Sequence, residues 1–170
     1  MQALRADITA IRRHKLRLAP FVFPHLFAVA CYRLSVALRS RHQGHLARII
    51  CAISQTLTGA EINPDAQIGP GLLLDHTHGI VVGGGVVAGQ RLRLGPGALL
   101  GSSFNDPTSQ RPTHGYPVIG DDVTLLAKAS VIGAVTVGDR AVIGAHALVI
   151  DDVPADAVAR GVPAKMYPQR

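Results

Sequence analysis

The sequence predicts a mainly β fold: a left-handed parallel β-helix of hexapeptide repeats, preceded by a short N-terminal α-helical segment. Three observations carry that prediction. Aliphatic residues recur at every sixth position beyond residue 60. Hydrophobic residues make up 48% of the chain while aromatics are only 4% and Trp is absent, so the apolar content is mostly Ala, Val, Leu and Ile. Small and branched side chains of that kind suit a narrow, regularly stacked core. The periodicity also changes near residue 60, from a helical spacing to a period of six.

The leading segment, residues 1–58, reads as a helical preface. Leu26, Val29, Ala30, Arg33, Leu34 and Ala37 mix apolar and basic residues at helical spacing, with Pro20 and Gly44 as natural breaks. The β-helix domain is expected over 59–153. Its first series is Ile62, Ile68, Leu74, Ile80, Val86, Leu92 and Ala98; its second is Ile119, Leu125, Val131, Val137, Ile143 and Val149. An amphipathic helix would repeat at three and four, and a sandwich would alternate over longer strands. One strand and one turn per hexad, with the aliphatic residue pointing inward and coils stacked at roughly 4.8 Å, satisfy the pattern. Gly69, Gly120, Gly138 and Gly144 follow register positions directly and suit tight corners. From Ala98 to Ile119 is 21 residues, which is not a multiple of six. The intervening 102–116, with Asn105-Asp106-Pro107 and Arg111-Pro112, predicts a loop extruded from the coil, where a solenoid commonly builds a binding site. Residues 154–170 are expected to leave the repeat as a tail that caps the last coil or crosses to a neighbour.

Charge and cysteine content exclude several classes. The formal net charge is +6, but residues 1–50 carry nine Lys/Arg against the single acid Asp7, so the excess lies in the preface. Nucleic-acid binding calls for basic residues interleaved with stacking aromatics, which this chain lacks. Cys31 and Cys51 have no metal-ligand spacing and make no disulfide framework, as befits buried thiols in a reducing compartment. The apolar stretch 21–38 contains Pro24, His25 and Arg33 and is a poor membrane span. The expectation is a cytoplasmic protein without stable membrane insertion.

The string Leu74-Asp75-His76-Thr77-His78-Gly79-Ile80-Val81-Val82-Gly83 resembles the serine O-acetyltransferases, in which an Asp-His pair is followed two residues later by Gly-Ile-Val-Val-Gly. The resemblance runs on to Gly101 and resumes from Pro117 to about Lys165. Glu61-Ile62-Asn63-Pro64-Asp65-Ala66-Gln67-Ile68-Gly69 and Tyr32-Arg33 also fit it. It implies an acyl-CoA-dependent O-acyltransferase that carries acetyl from acetyl-CoA, without a metal, to serine or a related small hydroxylated acceptor, and that works as a homotrimer. The chemistry needs a neutral imidazole to take the hydroxyl proton, worth roughly 10²–10⁴-fold, and a carboxylate to orient it.

Carried over by position, His76 is the general base and Glu61, where the family usually has Asp, is its carboxylate partner. Glu keeps the charge but adds a methylene. Repeat geometry alone sets Glu61 over Gly79, three residues past His76. Asp75 matches the substrate-binding Asp. Gly115 and Tyr116 stand where the family presents an Arg and a His to the serine carboxylate, so Tyr116 is a substrate-site residue of altered chemistry. Arg111 and His114, in the same loop, are candidate replacements, and serine itself is expected to be a weaker acceptor. For the acyl-CoA, Ser102, Ala127, Lys128 and Ala145 are the candidate contacts; Leu126 and Lys128 replace glycines, and Lys128 meets either a CoA phosphate or solvent. His78 and His146 are expected to be surface or structural.

Other classes stand beside this one. A sugar O-acetyltransferase shares the hexad pattern. A metalloenzyme of the carbonic anhydrase kind needs three converging histidines, and the spacing of His76, His78 and His114 does not suit them. A non-catalytic hexapeptide-repeat protein is suggested by Leu126, Lys128 and Tyr116.

Overall fold

The structure is a computed structural model that describes residues 2–14, 24–103 and 115–169, with the backbone alone for 12–14. Helices α1 (Gln2–His14), α2 (Pro24–Arg39) and α3 (Gly44–Thr58) precede fifteen short strands, β1–β15 in chain order. The chain winds through three parallel faces in rotation. Face A holds β1 (Glu61–Ile62), β4 (Val81–Val82), β7 (Leu99–Gly101), β10 (Ser130–Ile132) and β13 (Leu148–Val149). Face B holds β2 (Gln67–Ile68), β5 (Val87–Ala88), β8 (Val118–Ile119) and β11 (Thr136–Val137). Face C holds β3 (Leu73–Leu74), β6 (Arg93–Leu94), β9 (Thr124–Leu125), β12 (Val142–Ile143), β14 (Ala157–Arg160) and β15 (Lys165–Pro168).

All thirteen aliphatic positions of the six-residue series are buried. The series nevertheless conceals a change of phase. Each hexad has two inward positions, the strand residue and another two places before it, as Ala66 and Ile68 or Leu92 and Leu94 show. The first series follows the strand position through Leu74 and the pre-strand position from Ile80 to Ala98, and the second series keeps to the strand position from Ile119 to Val149. The reason is an insertion: Leu73 pairs with Arg93, 20 places on, whereas Thr124 pairs with Val142, 18 places on. The two additional residues lie in the corner between β3 and β4. A second insertion separates Leu99 from its partner Ser130 by 31 places, which puts 13 additional residues between β7 and β8. Each buried Leu, Ile or Val contributes roughly 1.5–3 kcal/mol, so the stacked interior dominates the stability of the coil.

The helices cover the open end of the first coil, whose backbone groups have no earlier rung to bond. Tyr32 Oη donates to Ala66 O (2.8 Å) and accepts from Ile68 N (3.2 Å). Arg33 donates to Ile68 O (2.6 Å) and Gly69 O (2.7 Å). Asp7 of α1 is fully buried and takes four bonds: Arg33 Nε (2.7 Å), Arg33 Nη2 (3.1 Å), Gly71 N (2.7 Å) and Leu72 N (2.8 Å). Its carboxylate therefore ties α1, α2 and the first coil together. Cys51 Sγ donates to Ser35 Oγ or Ile62 O, and burial pushes the thiols of both Cys31 and Cys51 above their usual range. No helix among the described residues is long and apolar enough to cross a membrane.

The residues after 153 do not leave the repeat at once. Ala157–Arg160 adds a parallel rung beside β12, and Lys165–Pro168 then folds back antiparallel on it, so the tail closes face C. Along the edge between faces B and C, Arg91, Asp122, Arg140 and Asp156 occupy equivalent left-handed turn positions (φ 57–58°). Opposite charges pair up the edge, with Arg91 Nη2 to Asp122 at 2.6 Å and Arg140 to Asp156 at 2.6 Å through both nitrogens.

Candidate active site

His76 lies on the widened corner between faces C and A. Six residues, 75–80, span this corner, against four (95–98, 126–129 and 144–147) in the later coils. The corner is fixed from both sides. Thr77 is buried and donates through Oγ1 to Thr58 O (2.6 Å), while Gly79 N donates to Gly59 O (2.9 Å). On the other side Asp75 N donates to Leu94 O and Gly97 N to His78 O, each at 2.9 Å. The imidazoles of His76 and His78 are left exposed on a rigid backbone. That is the disposition a general base needs, since the substrate hydroxyl has to reach it.

The carboxylates beside it are engaged elsewhere. Glu61 pairs in register with Val81, not with Gly79, because the corner holds two residues more than three hexads supply. Its side chain accepts from Gln55 Nε2 of α3 (3.0 Å), and no hydrogen bond joins it to His76. Asp75 accepts a two-point contact from Arg93 of β6, Nε to Oδ2 at 2.8 Å and Nη2 to Oδ1 at 3.2 Å. Arg93 was absent from the candidates drawn from sequence. A signal was available, because three hexads counted from Asp75 end at residue 93. The true register sets Arg93 beside Leu73, and the long side chain spans the two-residue difference.

The same edge continues past the candidate CoA contacts. Lys128 N donates to Pro96 O (2.7 Å) and His146 N to Ala127 O (2.9 Å), so the corners of Gly97, Lys128 and His146 stack in line with that of His76. Gly79, Gly97, Lys128 and His146 share the left-handed turn position, at φ 74, 69, 57 and 58°. The stem of Lys128 lies along Gly97: a Cβ placed there would sit 3.0 Å from Lys128 Cγ. Ala127 and Ala145 belong to these same corners and Lys128 is exposed.

Ser102 and Tyr116 lie on another edge, between faces A and B, where the chain departs after β7 and re-enters before β8. Ser102 therefore does not join Ala127, Lys128 and Ala145 within one chain. The Tyr116 ring rests on Gly83 and Gly85: a Cβ on Gly83 would lie 2.4 Å from Cε1, and one on Gly85 2.1 Å from Cδ2. Gly83 and Gly85 are the bed for this ring, while Gly84 between them faces the Asn63 side chain, a role the sequence alone did not disclose. Arg111 and His114 lie outside the described residues.

Comparison with known proteins agrees with this construction. Residues 116–151 match the family described as bacterial transferase hexapeptide (six repeats). The serine acetyltransferase of Helicobacter pylori strain J99 is 37% identical over 144 residues, covering 85% of this chain and 81% of that protein. The crystal structure of Neisseria gonorrhoeae serine acetyltransferase superposes with a TM-score of 0.86 at 30% identity, over 98% of this chain and 64% of that one. The Brucella abortus serine acetyltransferase in complex with coenzyme A gives 0.86 at 27% identity, over 98% and 67%. This chain thus spans just under two thirds of the length of the Neisseria enzyme. With the hexad coil, the Asp75-His76 corner and these likenesses together, the chain belongs to the serine acetyltransferase family, whose fold is the left-handed parallel β-helix.

Proposed function

We propose that this chain transfers the acetyl group of acetyl-CoA to the hydroxyl of L-serine, with His76 as general base. The observation that carries the reading is the position of His76: an exposed imidazole on a corner widened by two residues, in line with the open corners at Gly97, Ala127 and Ala145. The serine acetyltransferases above support serine as acceptor over a sugar, and the Brucella complex with coenzyme A supports the donor.

In the proposed step, His76 takes the hydroxyl proton as the serine oxygen attacks the thioester carbon. The tetrahedral adduct then collapses, the C–S bond breaks, and the thiolate leaves as CoA with the proton returned from His76. O-acetylserine and CoA are the products. Asp75 positions the acceptor, and Ala127, Lys128 and Ala145 line the path of the donor. Glu61 orients His76 only if its carboxylate turns from Gln55, so its contribution is smaller than that of the base. A second copy of the chain, in a homotrimer, brings the edge that carries Ser102 and Tyr116 toward the edge that carries His76.

The test is His76→Ala in a thiol-release assay with acetyl-CoA and L-serine. Turnover should fall roughly 10²–10⁴-fold with CoA binding retained. Turnover within threefold of the wild type would refute the assignment.

A further inference from the structure

We infer that Arg93 sets acceptor specificity, its guanidinium receiving the carboxylate of an amino-acid acceptor while Asp75 receives the ammonium; this rests on the acyl-transfer reading of the His76 corner. Arg93 is the outward residue of β6, and its neighbour Leu94 is fully buried, so the strand holds the arginine on the open side of face C. Its contact with Asp75 is made side-on, through Nε and Nη2. A guanidinium carries five N–H donors. The side-on contact occupies two of them and leaves both donors of Nη1 and one of Nη2, the end-on fork that grips a second carboxylate through parallel bonds. The Arg93 side chain is 40% exposed, and no hydrogen bond among the described residues engages its Nη1. An ion pair this accessible contributes little to folding, and structural need is a weak reason for it.

The pairing matches charge to charge. Asp75 and Arg93 present a negative and a positive group side by side, next to the exposed His76. A zwitterionic amino acid with a side-chain hydroxyl offers the complementary pair, and His76 follows Asp75 directly in the chain. Gly115 and Tyr116 carry no positive charge for a carboxylate, and Arg93 does. Asp75 fixes the guanidinium in advance, which lowers the ordering cost of binding.

The experiment compares L-serine with L-serinamide, which keeps the ammonium and hydroxyl but lacks the carboxylate. Binding of each to the intact protein is measured by calorimetry, and CoA release is measured with each, for wild type, Arg93→Gln and Arg93→Lys. Wild type should prefer serine about tenfold or more, the scale of one charged hydrogen-bonded contact. Arg93→Gln should abolish that preference by weakening serine alone, through KM and not kcat, and Arg93→Lys should restore part of it. No preference in wild type, or an unchanged preference in a folded Arg93→Gln, would overturn the inference. Should Arg93→Gln fail to fold, a preference undiminished in Arg93→Lys overturns it. Arg93-dependent binding of serine without CoA release would support Arg93 and instead refute acetyl transfer.

Discussion

Asp7→Ala is the substitution whose effect can be worked most directly from the structure. The carboxylate is fully buried and satisfies the two backbone N–H groups of Gly71 and Leu72 as well as two donors of Arg33. Truncation strands a guanidinium whose side chain is only 12% exposed. Breaking a buried pair by removing one partner costs about 3–5 kcal/mol. Arg33 keeps its bonds to Ile68 O and Gly69 O, which favours the lower end. The loss should therefore be about 3 kcal/mol in urea titrations followed by circular dichroism. It should also be local in origin. Gly71 and Leu72 lie just before β3, and Asp75 and His76 follow that strand, so fraying here loosens the His76 corner. Hydrogen exchange at the Gly71 and Leu72 amides should accelerate before that of the later coils. A destabilisation below about 1 kcal/mol, or amide protection equal to wild type, would show that Asp7 does not hold this end of the molecule.

Two further outcomes follow from other contacts. Gly85→Ala puts a methyl group 2.1 Å from Tyr116 Cδ2, which no real contact tolerates, so the ring must move; acceptor KM should rise several-fold with the fold intact, and kinetics equal to wild type would remove Tyr116 from the acceptor site. Hydrogen bonds from Arg91 and Arg140 hold the carboxyls of Asp122 and Asp156 below their ordinary value of 3.8. Their stabilising contribution is thus present above that pH and is lost as pH falls through the lower folded-state values. Melting curves of wild type and of Asp122→Asn/Asp156→Asn should converge in that acid range and at high salt, and a constant gap would contradict the ladder's role.

The period of six made the coil legible, because inward residues of a solenoid have no freedom to vary in kind. It did not make the phase legible. Ile80 and Val82 are both inward, so a series stepping by six from Leu74 to Ile80 looks unbroken although two residues have been inserted. The same ambiguity misplaced Glu61 over Gly79, where the register sets it against Val81. The Asp75-His76 string pointed to this corner through its likeness to the serine O-acetyltransferases, since the repeat by itself says nothing of a base. Arg93 and Asp7 were missed for a different reason. Each acts through a long-range contact, over 18 residues for Arg93 and Asp75 and over 64 and 65 for Asp7 with Gly71 and Leu72. A lone acid in a basic helix looks like ordinary surface until the fold supplies its partner, and an outward arginine does so unless three hexads are counted back from it to Asp75.

The two insertions bear on assembly. In a regular coil, outward side chains repeat at a fixed pitch and do not converge, so residues that must meet at a reacting atom need a break in the period. This chain has two such breaks, on different edges of the prism: the His76 corner between faces C and A, and the departure of the chain at Ser102 and Tyr116 between faces A and B. A single copy keeps them apart, whereas three copies side by side can set the first edge of one against the second edge of the next. Each site of the proposed homotrimer then takes His76 from one subunit and Tyr116 from its neighbour. His76→Ala and Tyr116→Ala should each be poorly active alone. Unfolded together in equal amounts and refolded, they assemble at random. A site is intact when its first subunit carries the Tyr116 substitution and its neighbour the His76 substitution, a chance of about one in four. Recovery of about a quarter of wild-type turnover is the expected result. Activity of the mixture no greater than the mean of the separate variants would place the complete site within one chain and remove the reason for the trimer.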